Sequence, residues 1–322
     1  MFPVAGTVAS VSLSLLLLVA GLVLLTLGAD RFVVSASRVS AALGISPILI
    51  GALVIGLGTS APEMLVSGLA AARGEIDLAL GNVVGSNTAN VTLVLGSTAL
   101  ITPIVSRLRT IRREGALMLL SLWVFAFLLW NLELSRPEAG GLLLGMVIAA
   151  ALLIYWARLD ARAGRTPAKP LEAVRWKGEV RREVLIGLGT LGLTLIGADV
   201  LVRGASGLAD DLGISSAFVG LVIVSVGTSL PELATALAAA RRRQTDLVLG
   251  NVLGSNLFNT LAVAGLAGIA GPGVADPTFH DALVLMVGAG VLAGVFGIRS
   301  PIERWEGVVL LIVFLAFVVV AV

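Results

Sequence analysis

Two carboxylates stand where a lipid-facing segment should carry none. The stretch GTSAPEML (58–65) places Glu63 behind Thr59, Ser60 and Pro62 inside an apolar run, and GTSLPEL (227–233) places Glu232 behind Thr228, Ser229 and Pro231 in another. In the run that follows each, Asn82, Ser86 and Asn90 recur at intervals of four residues, as do Asn251, Ser255 and Asn259. Residues four apart share one helix face, so each trio is a polar stripe. Carboxylates, amide oxygens, hydroxyls and backbone carbonyls, with no sulfur or imidazole, are hard ligands that suit Ca²⁺ and Na⁺ rather than Zn²⁺ or Cu⁺. A charged group at a span centre costs roughly 2.5–3.5 kcal/mol even on the lenient insertion scale. Two carboxylates brought together would also repel. A divalent cation removes both problems, because its charge matches theirs.

The local sequence also predicts how these groups are presented. Pro62 removes a backbone donor and clashes with the preceding turn, and Gly56 and Gly58 loosen the same stretch. The helix is expected to break just before Glu63, freeing carbonyls near Gly56 and Thr59. Gly227, Thr228, Ser229 and Pro231 repeat the design ahead of Glu232. In hydrocarbon, free carbonyls are tolerated only where protein or a cavity satisfies them. The plainer alternative makes the stripes interhelical hydrogen bonds, with Gly81 and Gly85 permitting close packing.

Composition says what surrounds these groups. Hydrophobic residues make up 57% of the 322 and charged residues 13%, against about 25% charged in a soluble domain, and mean hydropathy is +1.04. The polar surface is too small to cover a globule in water. The apolar runs approach 20 residues, the length of a spanning helix rather than a barrel strand. The expected fold is therefore an all-α integral membrane protein. Cysteine is absent, which excludes disulfides, thiolate metal sites and cysteine nucleophiles. No basic n-region precedes the first apolar segment, which is too long for a cleavable signal peptide. A net charge of +2 gives no reason to expect a nucleic-acid partner.

Apolar runs predict about ten spans, near 9–37, 46–72, 76–101, 115–133, 138–157, 181–209, 214–240, 246–270, 279–298 and 305–322. Sorting alternate connections onto two sides puts 18 of the 22 basic residues on one side, and only Arg73 and Arg136 on the other. The positive-inside rule then makes the basic side cytoplasmic and places both termini outside. Residues 1–157 form a first five-helix unit, 158–180 a short basic cytoplasmic linker, and 181–322 a second five-helix unit. A shift of 169 residues superposes 28–96 on 197–265 without a gap, with 31 of 69 positions identical. A repeat of five spans inserts upside down, and Arg73 and its mate Arg242 indeed sort to opposite sides. Inverted repeats are the architecture of secondary transporters, with the site at the midplane between them.

Paired GTS-PE segments, each followed by G-N-x-x-G-S-N, resemble the two alpha-repeats of sodium/calcium exchangers in the calcium/cation antiporter superfamily. The resemblance covers the ten-span layout. It implies an antiporter, not an enzyme, in a cell membrane, exchanging Ca²⁺ for Na⁺ by alternating access. These ions are substrates, so no cofactor and no obligatory protein partner is expected. It implies that Glu63 and Glu232 bind Ca²⁺ with the carbonyls of Thr59 and Thr228. Sodium sites would draw on Ser60, Ser86, Ser229 and Ser255 and the backbones of Gly56 and Ser225, with Asn90 and Asn259 lining the centre. Two departures stand out. Some prokaryotic relatives carry aspartate at the place of Asn259, so the site here has two carboxylates rather than three, and Ser225 replaces the first repeat's Gly56.

A proton-coupled Ca²⁺ antiporter on the same scaffold is the nearest alternative, but such relatives carry G-N-x-x-E where this chain has GTS-PE. An intramembrane enzyme using the glutamates as acid and base lacks a substrate-binding polar surface and a nucleophile. A channel conflicts with the tight binding of paired glutamates. Gly187, Gly189 and Gly192 match the dinucleotide fingerprint in spacing but open no βαβ unit. Asp77 and Asp246 are expected to cap the third and eighth spans, and His280 to be a solvated loop residue. Asp30 and Asp199 are expected either to bond across the repeat or to bias gating.

Overall fold

A computed structural model of the chain describes residues 4–164, 176–211, 225–277 and 279–321. Helix α1 (Val4–Leu43) has 40 residues, about 60 Å at 1.5 Å per residue. It is therefore far longer than a bilayer's hydrocarbon core. Next come α2 (Pro47–Thr59) and α3 (Ala61–Ala72), bent by 44° from one another. The break falls at Ser60, whose φ/ψ of −82°/10° leaves the helical region; one residue later Pro62 offers no N–H to the preceding turn. Helices α4 (Ile76–Ile101), α5 (Leu108–Asn131) and α6 (Arg136–Arg162) complete the first half. Ser135 starts α6 with a capping box, its N–H and hydroxyl both donating to Glu138.

The second half holds α7 (Val180–Asp211), the single turn α8 (Ser225–Thr228) and α9 (Leu230–Arg241). Helices α10 (Thr245–Ala270), α11 (Phe279–Arg299) and α12 (Arg304–Ala321) follow. Ser229, at φ/ψ of −85°/5°, breaks α8 from α9 as Ser60 breaks α2 from α3. Among the described residues, seven helices are long and apolar enough to cross a membrane, and the α2–α3 pair makes an eighth if taken as one span. That count falls short of the ten expected. The two remaining candidates are α12, with 18 residues, and the stretch near 214–240, where 212–224 lies outside the described residues. The linker's residues 165–175 lie outside them too. Some boundaries move: the first span continues to Leu43, and the fourth begins at Leu108 rather than near 115.

The packing is inverted relative to a water-soluble protein. Leu16, Phe127 and Val319 are largely exposed, while Thr59, Ser60, Ser86, Asn87, Asn90, Thr92, Ser255, Asn256 and Asn259 are fully enclosed. The enclosed helices are α4 and α10, with 83% and 89% of their apolar windows buried against 22% for α1, α6 and α7. Glycine lets the inner elements touch. A Cβ at Gly250 would strike the Ile48 carbonyl and one at Gly254 the Ala52 carbonyl, so α10 meets α2 backbone to backbone.

Connections sorted to one side touch one another. Ile104 and Ile302 exchange two backbone hydrogen bonds (3.0 and 2.9 Å), next to Ser106 and Ser300. Elsewhere β1 (Glu133–Leu134) pairs antiparallel with β2 (Gly273–Val274), Leu134 opposite Gly273. Adding 169 to 104 gives 273, and subtracting it from 302 gives 133. The repeat image of the 104–302 bridge would pair 273 with 133; the strands pair 273 with 134, one residue from that register.

Three expectations about polar residues change. The N-caps of α4 and α10 are Glu75 and Gln244. Asp77 and Asp246 sit one residue inside the helix instead, where a negative charge suits the helix dipole; Asp77 also accepts the N–H of Asp276 at 2.9 Å. His280 is partly exposed but not in a loop. It lies in the first turn of α11, 3.0 Å from the Trp130 carbonyl and edge-on to the Trp130 ring.

Candidate functional site

Glu63 and Glu232 each lie in the first turn after a break, at the N-termini of α3 and α9. Both are 1% exposed. Each is held by a serine of the opposite repeat: Ser60 Oγ donates to Glu232 Oε1 at 2.9 Å, and Ser229 Oγ to Glu63 Oε1 at 3.4 Å. Thr59 faces Glu232 as Thr228 faces Glu63, and the two carboxylates are close enough to repel. The breaks thus cross, so that each motif supplies a carboxylate to its own helix and a hydroxyl to the other's. Ser255 Oγ reaches Glu232 Oε1 at 3.5 Å.

The stripes on α4 and α10 divide into two functions. Asn82 and Asn251 brace the glutamate helices. Asn82 Nδ2 donates to the Glu63 carbonyl (3.4 Å) and Ser67 Oγ (3.0 Å), while its Oδ1 accepts from Thr228 Oγ1 at 3.1 Å. Asn251 Nδ2 donates to the Glu232 carbonyl (3.0 Å) and Thr235 Oγ1 (3.3 Å). Deeper along the same stripes, Ser255 keeps its bond to Glu232 but the other side chains have no such partners. Both amide atoms of Asn90, both of Asn259, the Ser86 hydroxyl and Oε2 of each glutamate are buried without a hydrogen bond. A buried polar group left so costs about 1–3 kcal/mol, and native structures leave few without a reason. Asn90 and Asn259 also stand at two stretches of wide π-helix, Asn90–Val94 and Phe258–Val263, a local rewinding frequent at functional sites.

Other expected residues are placed differently. The Gly56 carbonyl is not freed, since it accepts the Ser60 N–H at 3.0 Å and the Thr59 hydroxyl at 3.4 Å. The Thr59 hydroxyl also bonds back to Ile55 O within its own helix. Ser225 opens α8, and its side chain lies outside the described residues. Sequence reasoning passed over Asn87 and Asn256, whose Nδ2 atoms bond back to the helix while Oδ1 is left buried and unpartnered. Their signal was present, since both close the repeated G-N-x-x-G-S-N.

Among the described residues, no Lys or Arg pairs with Glu63 or Glu232; the ion pairs all lie elsewhere. Nor do three or more acidic or histidine side chains gather as a metal cluster. The arrangement is two carboxylates amid neutral oxygens, buried between two helix breaks.

Comparison with known proteins agrees. The chain belongs to the sodium/calcium exchanger protein family, which matches residues 13–156 and 183–322. It is 38% identical to CaxA of Alkalimonas amylolytica over 92% of this chain and 95% of that one. It is 32% identical to the sodium/calcium exchanger MaX1 of Methanosarcina acetivorans, over 96% and 99%. The solved structure of the sodium-calcium exchanger NCX_Mj, soaked with Na⁺ and Sr²⁺, superposes with a TM-score of 0.83 at 29% identity, covering 95% of this chain and 97% of that one. The protein is a multi-pass membrane antiporter of cations.

Proposed function

We propose that the chain is a secondary antiporter that exchanges Ca²⁺ for Na⁺ by alternating access, with ten spans in two inverted five-helix repeats. The observation that carries this reading is the buried pair Glu63 and Glu232, each with one oxygen unpartnered, beside the unpartnered amides of Asn90 and Asn259. One Ca²⁺ between the carboxylates neutralises them. The carbonyls of Thr59 and Thr228 and the central asparagines complete the oxygen set. Sodium takes the flanking positions of Ser60, Ser86, Ser229 and Ser255, with the backbone of Ser225. The pairings 104/302 and 273/134, equivalent under the 169-residue shift to within one residue, support the inverted symmetry. The excess of basic residues in alternate connections supports both termini outside, and the cell membrane is the location assigned here.

Sodium rather than proton coupling is favoured by the hydroxyls of Ser60 and Ser229. They sit against the glutamates as neutral ligands that a proton would not need. The test is ⁴⁵Ca²⁺ uptake into reconstituted vesicles. An outward sodium gradient should drive it, and a proton gradient alone should not. Uptake that follows the proton gradient and ignores sodium overturns the coupling assigned here.

A further inference from the structure

The sequence repeat makes Asp30 the mate of Asp199 and Arg73 the mate of Arg242, all at a shift of 169. In the structure only one of the two equivalent ion pairs exists. Arg242 grips Asp30 in fork geometry, with Nη2 2.7 and 2.8 Å from the two carboxylate oxygens and Nε at 3.1 Å. One face further along, Ser37 Oγ donates to Gln244 Oε1 at 2.8 Å. Helix α1 is thus tied on the basic face to the turn that joins α9 to α10. On the opposite face Asp199 pairs with Arg203 of its own helix, both exposed. Arg73 is exposed there, with no ion pair among the described residues.

The two turns do not differ in shape. Arg73 has φ/ψ of −91°/0° and Arg242 −90°/5°, while Glu75 has −89°/63° and Gln244 −92°/63°. Between them Gly74 and Arg243 both take positive φ, +82° and +55°. Arginine is even retained where the left-handed region favours glycine. Each turn therefore presents its arginine in the same way, and what differs is where the crossing helix lies. Helices α1 and α7 contact each other at backbone level, since a Cβ at Gly21, Gly197 or Gly204 would strike the facing main chain. Asp30 and Asp199 consequently move as one unit.

We infer that Asp30–Arg242 and Asp199–Arg73 are alternative latches of the exchange cycle, one made when the basic-side mouth is closed and the other when the opposite mouth is closed. This rests on the alternating-access reading of the site. The four are positioning residues: they touch no ion and act by setting which mouth opens. Asp199–Arg203 is the resting partner that Asp199 leaves when Arg73 comes within reach.

The chain has no cysteine, so paired thiols can be introduced cleanly. Asp30→Cys with Arg242→Cys, and Arg73→Cys with Asp199→Cys, would be treated in vesicles with a short bis-methanethiosulfonate. Each pair should crosslink in a different fraction of molecules, and each crosslink should stop ⁴⁵Ca²⁺ exchange until thiols are restored by reductant. Separately, Asp30→Asn should raise apparent Ca²⁺ affinity on the basic side and lower it on the opposite side. A roughly two- to fivefold change is expected, the range a half-exposed ion pair supports. Asp199→Asn should shift both in the reverse sense, and the charge swap Asp30→Arg with Arg242→Asp should restore the starting ratio. A merely structural bridge would leave the ratio of the two affinities unmoved. If the unmodified chain exchanges Ca²⁺ but 73/199 never crosslinks, or both Asn variants shift the ratio the same way, the latch is overturned. Absence of exchange in the unmodified chain overturns instead the function on which it rests.

Discussion

Glu63 and Glu232 each keep one oxygen bonded to a serine across the repeat and the other unpartnered. Replacing either by Gln leaves Ca²⁺ with an uncompensated charge in a dry core, the situation that makes broken buried pairs cost about 3–5 kcal/mol. Glu63→Gln and Glu232→Gln should each abolish ⁴⁵Ca²⁺ exchange, and near-normal exchange in either would remove the proposed site. Asn90→Ala and Asn259→Ala delete neutral ligands worth about 0.5–1.5 kcal/mol each. They should weaken apparent Ca²⁺ affinity by roughly two- to tenfold and leave exchange measurable. Because both ions need the same two carboxylates, Na⁺ should displace Ca²⁺ competitively. Calorimetric titration in detergent checks this, and saturable binding of each ion unaffected by the other contradicts it.

At the scale of elements, the site depends on how closely α2 approaches α10. A Cβ at Gly254 would lie against the Ala52 backbone, so Gly254→Ala must push apart α2, which ends at Thr59 beside Ser60, and α10, which carries Ser255. Overpacking of this kind costs typically about 1–3 kcal/mol. The variant should melt several degrees lower in detergent and lose Ca²⁺ affinity together with stability. Gly141→Ala in α6 is the control, since nothing lies within 4 Å of its added Cβ. It should be neutral or slightly stabilising, because Ala is the better helix former. A Gly254→Ala variant that melts and binds like the parent would mean that the α2–α10 contact does not hold the site.

Across the whole molecule the count of charges sets the electrical behaviour. Two carboxylates and amides at both central positions leave a Ca²⁺-loaded site neutral. If three Na⁺ occupy it in the calcium-free half-cycle, it carries one positive charge. Exchange should then be electrogenic, and 100 mV acts on one charge with about 2.3 kcal/mol, close to a fiftyfold bias of the equilibrium. Vesicles clamped with valinomycin read this directly. A reversal point that ignores the potential points to two Na⁺ per Ca²⁺.

The sequence by itself determined the solvent, the repeat and the chemistry of the site. Hydropathy sums residue by residue, so lipid as the surroundings and the run at 76–101 were legible, and α4 has those bounds. Proline's missing donor is equally local, and the breaks at Ser60 and Ser229 fall where Pro62 and Pro231 require. What only the tertiary structure decided is partnership. Asn82 and Asn90 belong to one stripe and look alike in sequence, yet Asn82 is fully engaged and Asn90 has no partner. Asp30 and Asp199 are identical under the repeat, yet one holds an arginine across the fold and the other one within its own helix. A repeat assigns both copies the same residues and therefore the same possible bonds. Which bond is made depends on the distance between helices far apart in the chain, and in this arrangement of the two repeat-related halves only one copy bonds across the fold.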